Sequence, residues 1–500
     1  MPFDHLPAEI ILMIFHTHIY LYLESRRSLL LTCRSWYNIL TSCSYMWENV
    51  CWLPMEYTFF RVTYQNIQSL DHAADRVGKS FDLALLSPSS DQVAAEQLGP
   101  SGIASDEDWL SRCRSLTLWL DRMTKKQLHT SATTLHPLMH QGDFQSLESL
   151  TLKGGFPTLA GRILTDVITQ IDRTAPNLTR LDVGTEVPLQ LISQHSGILG
   201  RISSLSLWSW ETQQHPVPWS QLINLKYLHL SQNLYDHEIG QQKESNLGLQ
   251  DLIAPKLATL HLNGDFVPSD FFSNQVLERI THLILENFGG TQEGVFNCAL
   301  PELTFLGIEQ EGTYVMSWIR AERLEELRVN ISGDPDVDLC FYDTSITPRV
   351  LRVDIPDVER LDDLTTNCFG GINFVGFAED LPIWSRVEEL HLTFFRGTRD
   401  LSQVFMCALV GDPELCYPKL HCLTVRYSNA SRLNLSQGEK QEKVDELLAI
   451  RKQREGAGLP KIRQLEVGWH WVGYSIPGIG NRSPEPWMTE WRNCLEGETL

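Results

Sequence analysis

Long apolar runs, a basic surplus and a cysteine framework are all missing from this 500-residue chain. The longest early apolar run, Ile10 to Phe15, is far too short for a signal core or a membrane span, which takes about 20 residues. The N-terminus carries Asp4 and Glu9 and no cationic segment, so no secretory leader is expected. Lys and Arg number 41 against 62 Asp and Glu, a net charge of -21, which leaves no bulk positive surface to neutralise phosphates. Nucleic acid and anionic membranes are therefore disfavoured as partners. The eleven cysteines are odd in number and scattered from Cys33 to Cys494 without framework spacing, as expected of free thiols in a reducing compartment. A cytoplasmic or nuclear location follows as the expectation, and the sequons at Asn177 and Asn330 are then chance matches.

A catalytic or metal-binding constellation is missing too. Ala73 to Ser80 formally satisfies the loose phosphate-loop pattern, but there a helical stretch precedes and a strand pattern follows, the reverse of what phosphate binding needs. No serine or cysteine sits in a nucleophile-elbow or papain-like context, and the pairs Glu325-Glu326 and Glu388-Glu389 fall at strand edges, where solvation is the ordinary explanation. His16 with His18, and Cys416, His421 and Cys422, supply no ligand set for zinc, which takes three or four ligands. No cofactor, no metal and no catalytic residue are expected.

What the chain does have begins at its N-terminus. Pro7 suits the first helical position, and Glu9 then sits in the first turn beside the positive end of the helix dipole. Ile10, Ile11, Ile14 and Phe15 share one helical side, and Leu29, Cys33, Trp36 and Leu40 share another, with Trp47 available to close the cluster. Some fifty residues cannot bury two apolar faces and two tryptophans within themselves, so part of that surface must meet something else. In order and spacing these residues resemble the F-box, matching as LP-x-E-I, I-F, L-x-x-x-C-R-x-W and a terminal W, with Thr32 where a valine usually stands.

The resemblance implies docking on the Skp-family adaptor of a cullin-RING ubiquitin ligase, through Leu6, Pro7, Ile10, Ile14, Leu29, Cys33 and Trp36. It also implies a non-catalytic recognition subunit that reaches a cullin through the adaptor and binds a protein substrate. The alternative is an interaction scaffold of the same build outside ubiquitin transfer.

From residue 113 a six-residue phrase recurs with apolar residues at its first, fourth and sixth positions. Leu147-Glu-Ser-Leu150-Thr-Leu152, Leu225-Lys-Tyr-Leu228-His-Leu230 and Ile280-Thr-His-Leu283-Ile-Leu285 are examples, and Val350, Val353 and Ile355 make a further copy. Fourth positions at 150, 181, 205, 228, 260, 283, 306 and 327 lie 31, 24, 23, 32, 23, 23 and 21 residues apart, the leucine-rich repeat range with two enlarged units. Alternation within each phrase makes a short strand with one buried face, and the intervening residues return to the next. Only the copy from Leu225 to Asn233 carries the ladder asparagine, so the repeats resemble the irregular ones of F-box proteins.

The fold expected is α/β: a small N-terminal helical F-box-like module over 1–50 and a curved leucine-rich repeat solenoid over 113–473. Between them, 51–112 holds a linker helix (Asn66 to Val77), a strand at Phe81 to Leu85 and a mobile acidic surface loop, and the helix, its Gly78 and the strand together resemble the start of the repeats in F-box proteins of mushroom-forming fungi. Residues 474–500 form an irregular tail. A helix is expected over Glu439 to Arg454 with Val444, Leu447, Leu448 and Arg451 on one side, and a strand around Ile372 to Phe377 is left open in register. Residues between the buried leucines should face solvent on the concave side, where Trp208, His229 and His261 are the expected substrate contacts and His391 shares the histidine lane. Trp210, Trp469, His470 and Trp471 follow strands as well, and large aromatics at a surface are typical of binding hot spots.

Overall fold

The computed structural model describes residues 34–42, 49–52, 81–86, 109–119, 143–153, 158–184, 192, 194–208, 218–231, 249–264, 272–286, 298–309, 319–330, 348–355, 386–394, 417–428 and 436–470. The chain divides into two compact units, Met1–Lys256 and Leu257–Leu500, each described by itself.

In the first unit seven described strands pair side by side in chain order, all parallel: β1 (Asn49–Trp52), β2 (Phe81–Leu86), β3 (Cys113–Trp119), β4 (Ser149–Lys153), β5 (Arg180–Val183), β6 (Ser204–Trp208) and β7 (Tyr227–Ser231). The repeated phrase fixes the register. Leu116, Leu150, Leu181, Leu205 and Leu228 stand opposite one another, as do Leu118, Leu152, Val183, Leu207 and Leu230. All ten are buried, and each contributes about 1.5–3 kcal/mol through loss of contact with water.

Two helices of this unit, α1 (Arg34–Ser42) and α2 (Thr158–Thr174), precede a single-turn-and-a-half α3 (Ser196–Arg201). Arg201 donates to the Asp172 carboxylate at 3.2 Å and ties α3 to α2. The strand at Phe81 is present, and β1 precedes it as an element that the phrase spacing does not announce. The helix expected at 66–77 and the acidic loop lie outside the described residues.

The second unit repeats the scheme with β8 (Thr259–Asn263), β9 (His282–Glu286), β11 (Phe305–Glu309), β13 (Glu326–Asn330), β14 (Val350–Ile355), β15 (Glu389–Phe394), β16 (Cys422–Ser428) and β17 (Gln464–His470). A separate parallel pair joins β10 (Cys298–Ala299) to β12 (Ile319–Arg320), and a short α4 covers Asn274–Leu277. One hydrogen-bond pattern binds successive copies just before each strand. The carbonyl of Ala258 accepts from the N–H groups of Thr281 and His282 at 2.9 and 3.1 Å, and that of Thr281 accepts from Thr304 and Phe305 in the same way. Hydroxyls at the second phrase position reinforce it, Thr281 on Ala258 and Thr304 on Thr281.

Two expectations need correction here. The copy around Val350 is in register through Leu351 and Val353, which face Leu327 and Val329, so the phrase stands two residues earlier than 350, 353, 355. Residues 351, 353 and 355 share a strand face, so alternation alone cannot separate the two registers, and Pro348 occupies the first position where a leucine would have marked it. The long helix, α5 (Gln437–Gly456), does exist, but its buried stripe is Leu447, Ile450 and Arg454, while Leu448 is 46% exposed. Arg454 lies on that stripe because its head reaches the Tyr417 carbonyl at 3.0 Å while its stem packs.

Gly458, at φ 77°, ends α5 in the left-handed conformation that glycine tolerates. The N–H of Leu459 then reaches the Arg454 carbonyl and that of Gly458 the Glu455 carbonyl. The strand considered at 372–377 lies outside the described residues.

Candidate functional site

On every strand the fourth and sixth phrase positions point into the leucine core, so the third, fifth and seventh positions share the other face. In the first unit the fifth positions are Thr117, Thr151, Asp182, Ser206 and His229. Trp208, at the seventh position of β6, lies edge-on to His229 with ring centroids 5.0 Å apart. Its indole N–H donates to Asp182 Oδ1 at 2.9 Å, and Lys153 Nζ lies 5.9 Å from its ring centre. Gly184 stands between the β4 and β6 seventh positions, where a Cβ would meet the Leu152 carbonyl oxygen and Lys153 Cα at 3.0 Å. Trp208 is thus half-buried and held on three sides. His229 was expected on a solvated face and is instead 2% exposed, with the Trp208 ring against one side of it.

The second unit builds different chemistry at the same positions. His261 Nε2 on β8 lies 2.7 Å from Glu286 Oε1 on β9, and Asn263 donates to the other carboxylate oxygen at 3.1 Å. Glu286 is 1% exposed and His261 6%, so this pair too is buried rather than solvated. His282 stacks on Phe305 at 5.7 Å, and burial lowers its pKa below the usual histidine range.

Further along, Arg328, Arg352 and His391 are direct register partners on β13, β14 and β15. Arg352 Nε is 2.6 Å from Glu326 Oε1. Arg349 links three carboxylates, at 2.5 Å from Glu389, 3.4 Å from Glu325 and 3.7 Å from Glu388, so both glutamate pairs are engaged rather than merely solvated. Burial, and then the charge of Arg352, hold His391 below its ordinary pKa, against the opposing pull of Glu389.

His229 belongs to the first unit and His261 to the second. Among the described residues no group of three or more His, Cys, Asp or Glu side chains is placed to hold a metal ion. Cys113, Cys298 and Cys422 are free thiols, and burial pushes that of Cys298 up to about 11. Trp210, Trp471 and Cys416 lie outside the described residues, as do the side chains of Trp469 and His470.

Sequence reasoning did not find Asp182 as the anchor of Trp208, nor the Arg328, Arg352, His391 row. The row was findable: it is the fifth position read across copies, and the two-residue register error at β14 put Asp354 where Arg352 belongs.

Of the N-terminal docking residues, Trp36 lies on α1, half-buried, beside exposed Tyr37 and Asn38. Leu6, Pro7, Ile10, Ile14, Leu29 and Cys33 lie outside the described residues. Residues 3–52 match the family described as F-box-like. That match runs through α1 and ends on β1, whose residues Asn49 to Trp52 pair with Asp82 to Leu85 of β2. A solved structure of the Rad7 and Elc1 complex in yeast aligns over 72% of this chain and 79% of its own, at 14% identity and a TM-score of 0.28, a likeness too slight to build on. No curated protein matches the chain.

Proposed function

We propose that this chain is the substrate-recognition subunit of a Skp-cullin-F-box ubiquitin ligase. The observation that carries this proposal is the F-box-like match over residues 3–52, on the segment where the motif residues fall in order. The docking surface is formed by Leu6, Pro7, Ile10, Ile14, Leu29, Cys33 and Trp36, which meet a Skp-family adaptor and through it a cullin. Each of the two strand arrays is a run of irregular leucine-rich repeats, and the repeats hold the protein target. Parallel strands in chain order, one per phrase, support that assignment. Trp208 is the target-facing aromatic of the proposed set, and His229 and His261, being buried, act by positioning what surrounds them.

The chain supplies no catalytic group in this mechanism. Holding the target beside the ubiquitin-conjugating enzyme raises the effective concentration of its lysines, and recognition is thereby converted into transfer. The test is capture of purified adaptor by the full chain, wild type against a Pro7→Ala, Trp36→Ala double variant. Loss of capture in the variant is expected, with affinity falling at least about tenfold if Trp36 is a buried anchor. Equal capture sinks the docking proposal, and, with purified cullin added to the same assay, capture of adaptor but not of cullin replaces ubiquitin transfer with a scaffold role.

A further inference from the structure

The fifth-position lane of the second unit carries a row that core packing does not ask for. Arg328, Arg352 and His391 sit directly opposite one another on three consecutive parallel strands. Like charges in direct register cost stability, and the first unit fills the same lane with Thr117, Thr151, Asp182, Ser206 and His229, in which no two like charges are neighbours. On the next strand Arg426 stands at the seventh position, opposite Thr393. Arg426 is exposed, and among the described residues it forms no ion pair or hydrogen bond. Its charge reaches His391 from β16 as that of Arg352 does from β14, and both disfavour the imidazolium.

The nearby carboxylates are mostly engaged at the third-position edge. Glu326 takes Arg352 Nε, and Glu389 takes Arg349 at 2.5 Å while lying 3.7 Å from His391. Glu466 borders the far side on β17, where Gln464 donates to it at 2.6 Å, and Asp354 occupies the seventh register position of β14. Carboxylates thus stand at the starts of β13 and β15, the fifth positions of β13, β14 and β15 carry Arg328, Arg352 and His391, and Glu466 returns a carboxylate to the fifth-position lane two strands beyond His391.

From this juxtaposition we infer that the fifth-position row Arg328, Arg352 and His391, with Arg426 at the adjoining seventh position of β16, binds an acidic segment of a partner protein, laid in extended form across the strands. Geometry selects a segment over a single compact anion. Strands lie about 4.8 Å apart, so Arg328 and His391 stand about 10 Å from each other, and alternate side chains of an extended chain recur about every 6.7 Å. Two Glu or Asp side chains two residues apart span such a row, whereas one phosphate meets only part of it. The inference builds on the proposed role of the repeats as the target-binding part, and it names the chemistry of the target.

The test uses the full chain and a fluorescent peptide of alternating glutamate and serine, at about 0.15 M salt so that the overall acidity of the protein acts only within about 8 Å. Saturable binding is expected, lost when glutamine replaces glutamate, and weakened about tenfold or more by Arg426→Glu. Because Arg426 is exposed and forms no hydrogen bond or ion pair among the described residues, that variant should melt like wild type. Arg328→Gln gives a second variant with less change in charge.

Binding also places carboxylates over His391, so the imidazole should titrate at higher pH in the complex. Equal affinity of the glutamine peptide, an Arg426→Glu variant as tight as wild type, or no binding near 1 mM overturns the inference. So does preference for a neutral peptide with one phosphoserine or for single-stranded nucleic acid. Adaptor capture measured on the same preparations separates the two proposals: capture without peptide binding overturns only this one, and peptide binding without capture overturns only docking.

Discussion

The two units share one buried face and differ on the other. Their leucine lanes are interchangeable in kind, fully buried at Leu116, Leu228, Leu283, Leu306 and Leu390 alike. Across the polar face, the first unit presents hydroxyls and one tryptophan anchored on Asp182 and packed on buried His229, and the second presents ion pairs and a row of Arg328, Arg352 and His391. Strand pairing tolerates this because backbone hydrogen bonds and the leucine face fix the register, leaving alternate positions free to vary. Function should therefore be sought in the fifth and seventh phrase positions, and any substitution that affects both units equally should lie in the fourth or sixth.

The largest expected effect tests that sameness. Leu228→Ala and Leu283→Ala each remove a fully buried side chain and leave a cavity, at a cost of about 2–5 kcal/mol. Urea denaturation of each variant against wild type measures it. Comparable losses support a common core logic, and a negligible loss in either unit breaks it.

How legible the molecule was in its sequence follows the same division. The apolar phrase revealed nearly every strand from β4 onward because 0, 3, 5 spacing is a direct image of one buried face. It missed β1, where Asn49-Val-Cys-Trp52 carries no phrase, and it slipped by two residues at β14, because a shift of two preserves the buried face. On α5 the expected side took in Leu448 and Arg451 and left out Ile450 and Arg454, because apolar residues at 444, 447, 448 and 450 fit more than one helical stripe and the packed stem of Arg454 does not look apolar.

The polar face was less legible. Composition marks histidines and tryptophans but not their neighbours, and it is the neighbours that set Trp208 against His229 and Glu286 against His261. Pairing across strands 23 to 26 residues apart, as between Asn263 and Glu286 or Asp182 and Trp208, has no local signature.

A smaller effect sharpens the first unit's side of the comparison. Trp208 is held by its indole N–H on Asp182 Oδ1, so Asp182→Ala should cost about 1 kcal/mol while Asp182→Asn, which keeps an acceptor there, should cost less. The same denaturation series checks both, and equal losses would mean that the hydrogen bond is not what positions the ring.

The smallest effect belongs to the second unit and concerns pH. His391 is held below its ordinary value of 6.5 by burial and then by Arg352 on β14, with Arg426 on β16 acting in the same sense and Glu389 on its own strand opposing. Between its folded pKa and 6.5 the unfolded chain binds more protons at this site than the folded one. Stability from His391 is therefore present above pH 6.5 and is lost as pH falls below it. Glu389 works lower down: burial alone would raise its pKa, but the Arg349 hydrogen bond and charge outweigh that and depress it. Its stabilisation is thus intact above the unfolded carboxyl value and lost only as pH falls through the folded one. Denaturation midpoints at pH 7 and pH 5.5 should consequently fall less in His391→Gln than in wild type. An equal fall in the two proteins would shift the pH dependence to other groups, of which His282, also depressed by burial, is the first to vary.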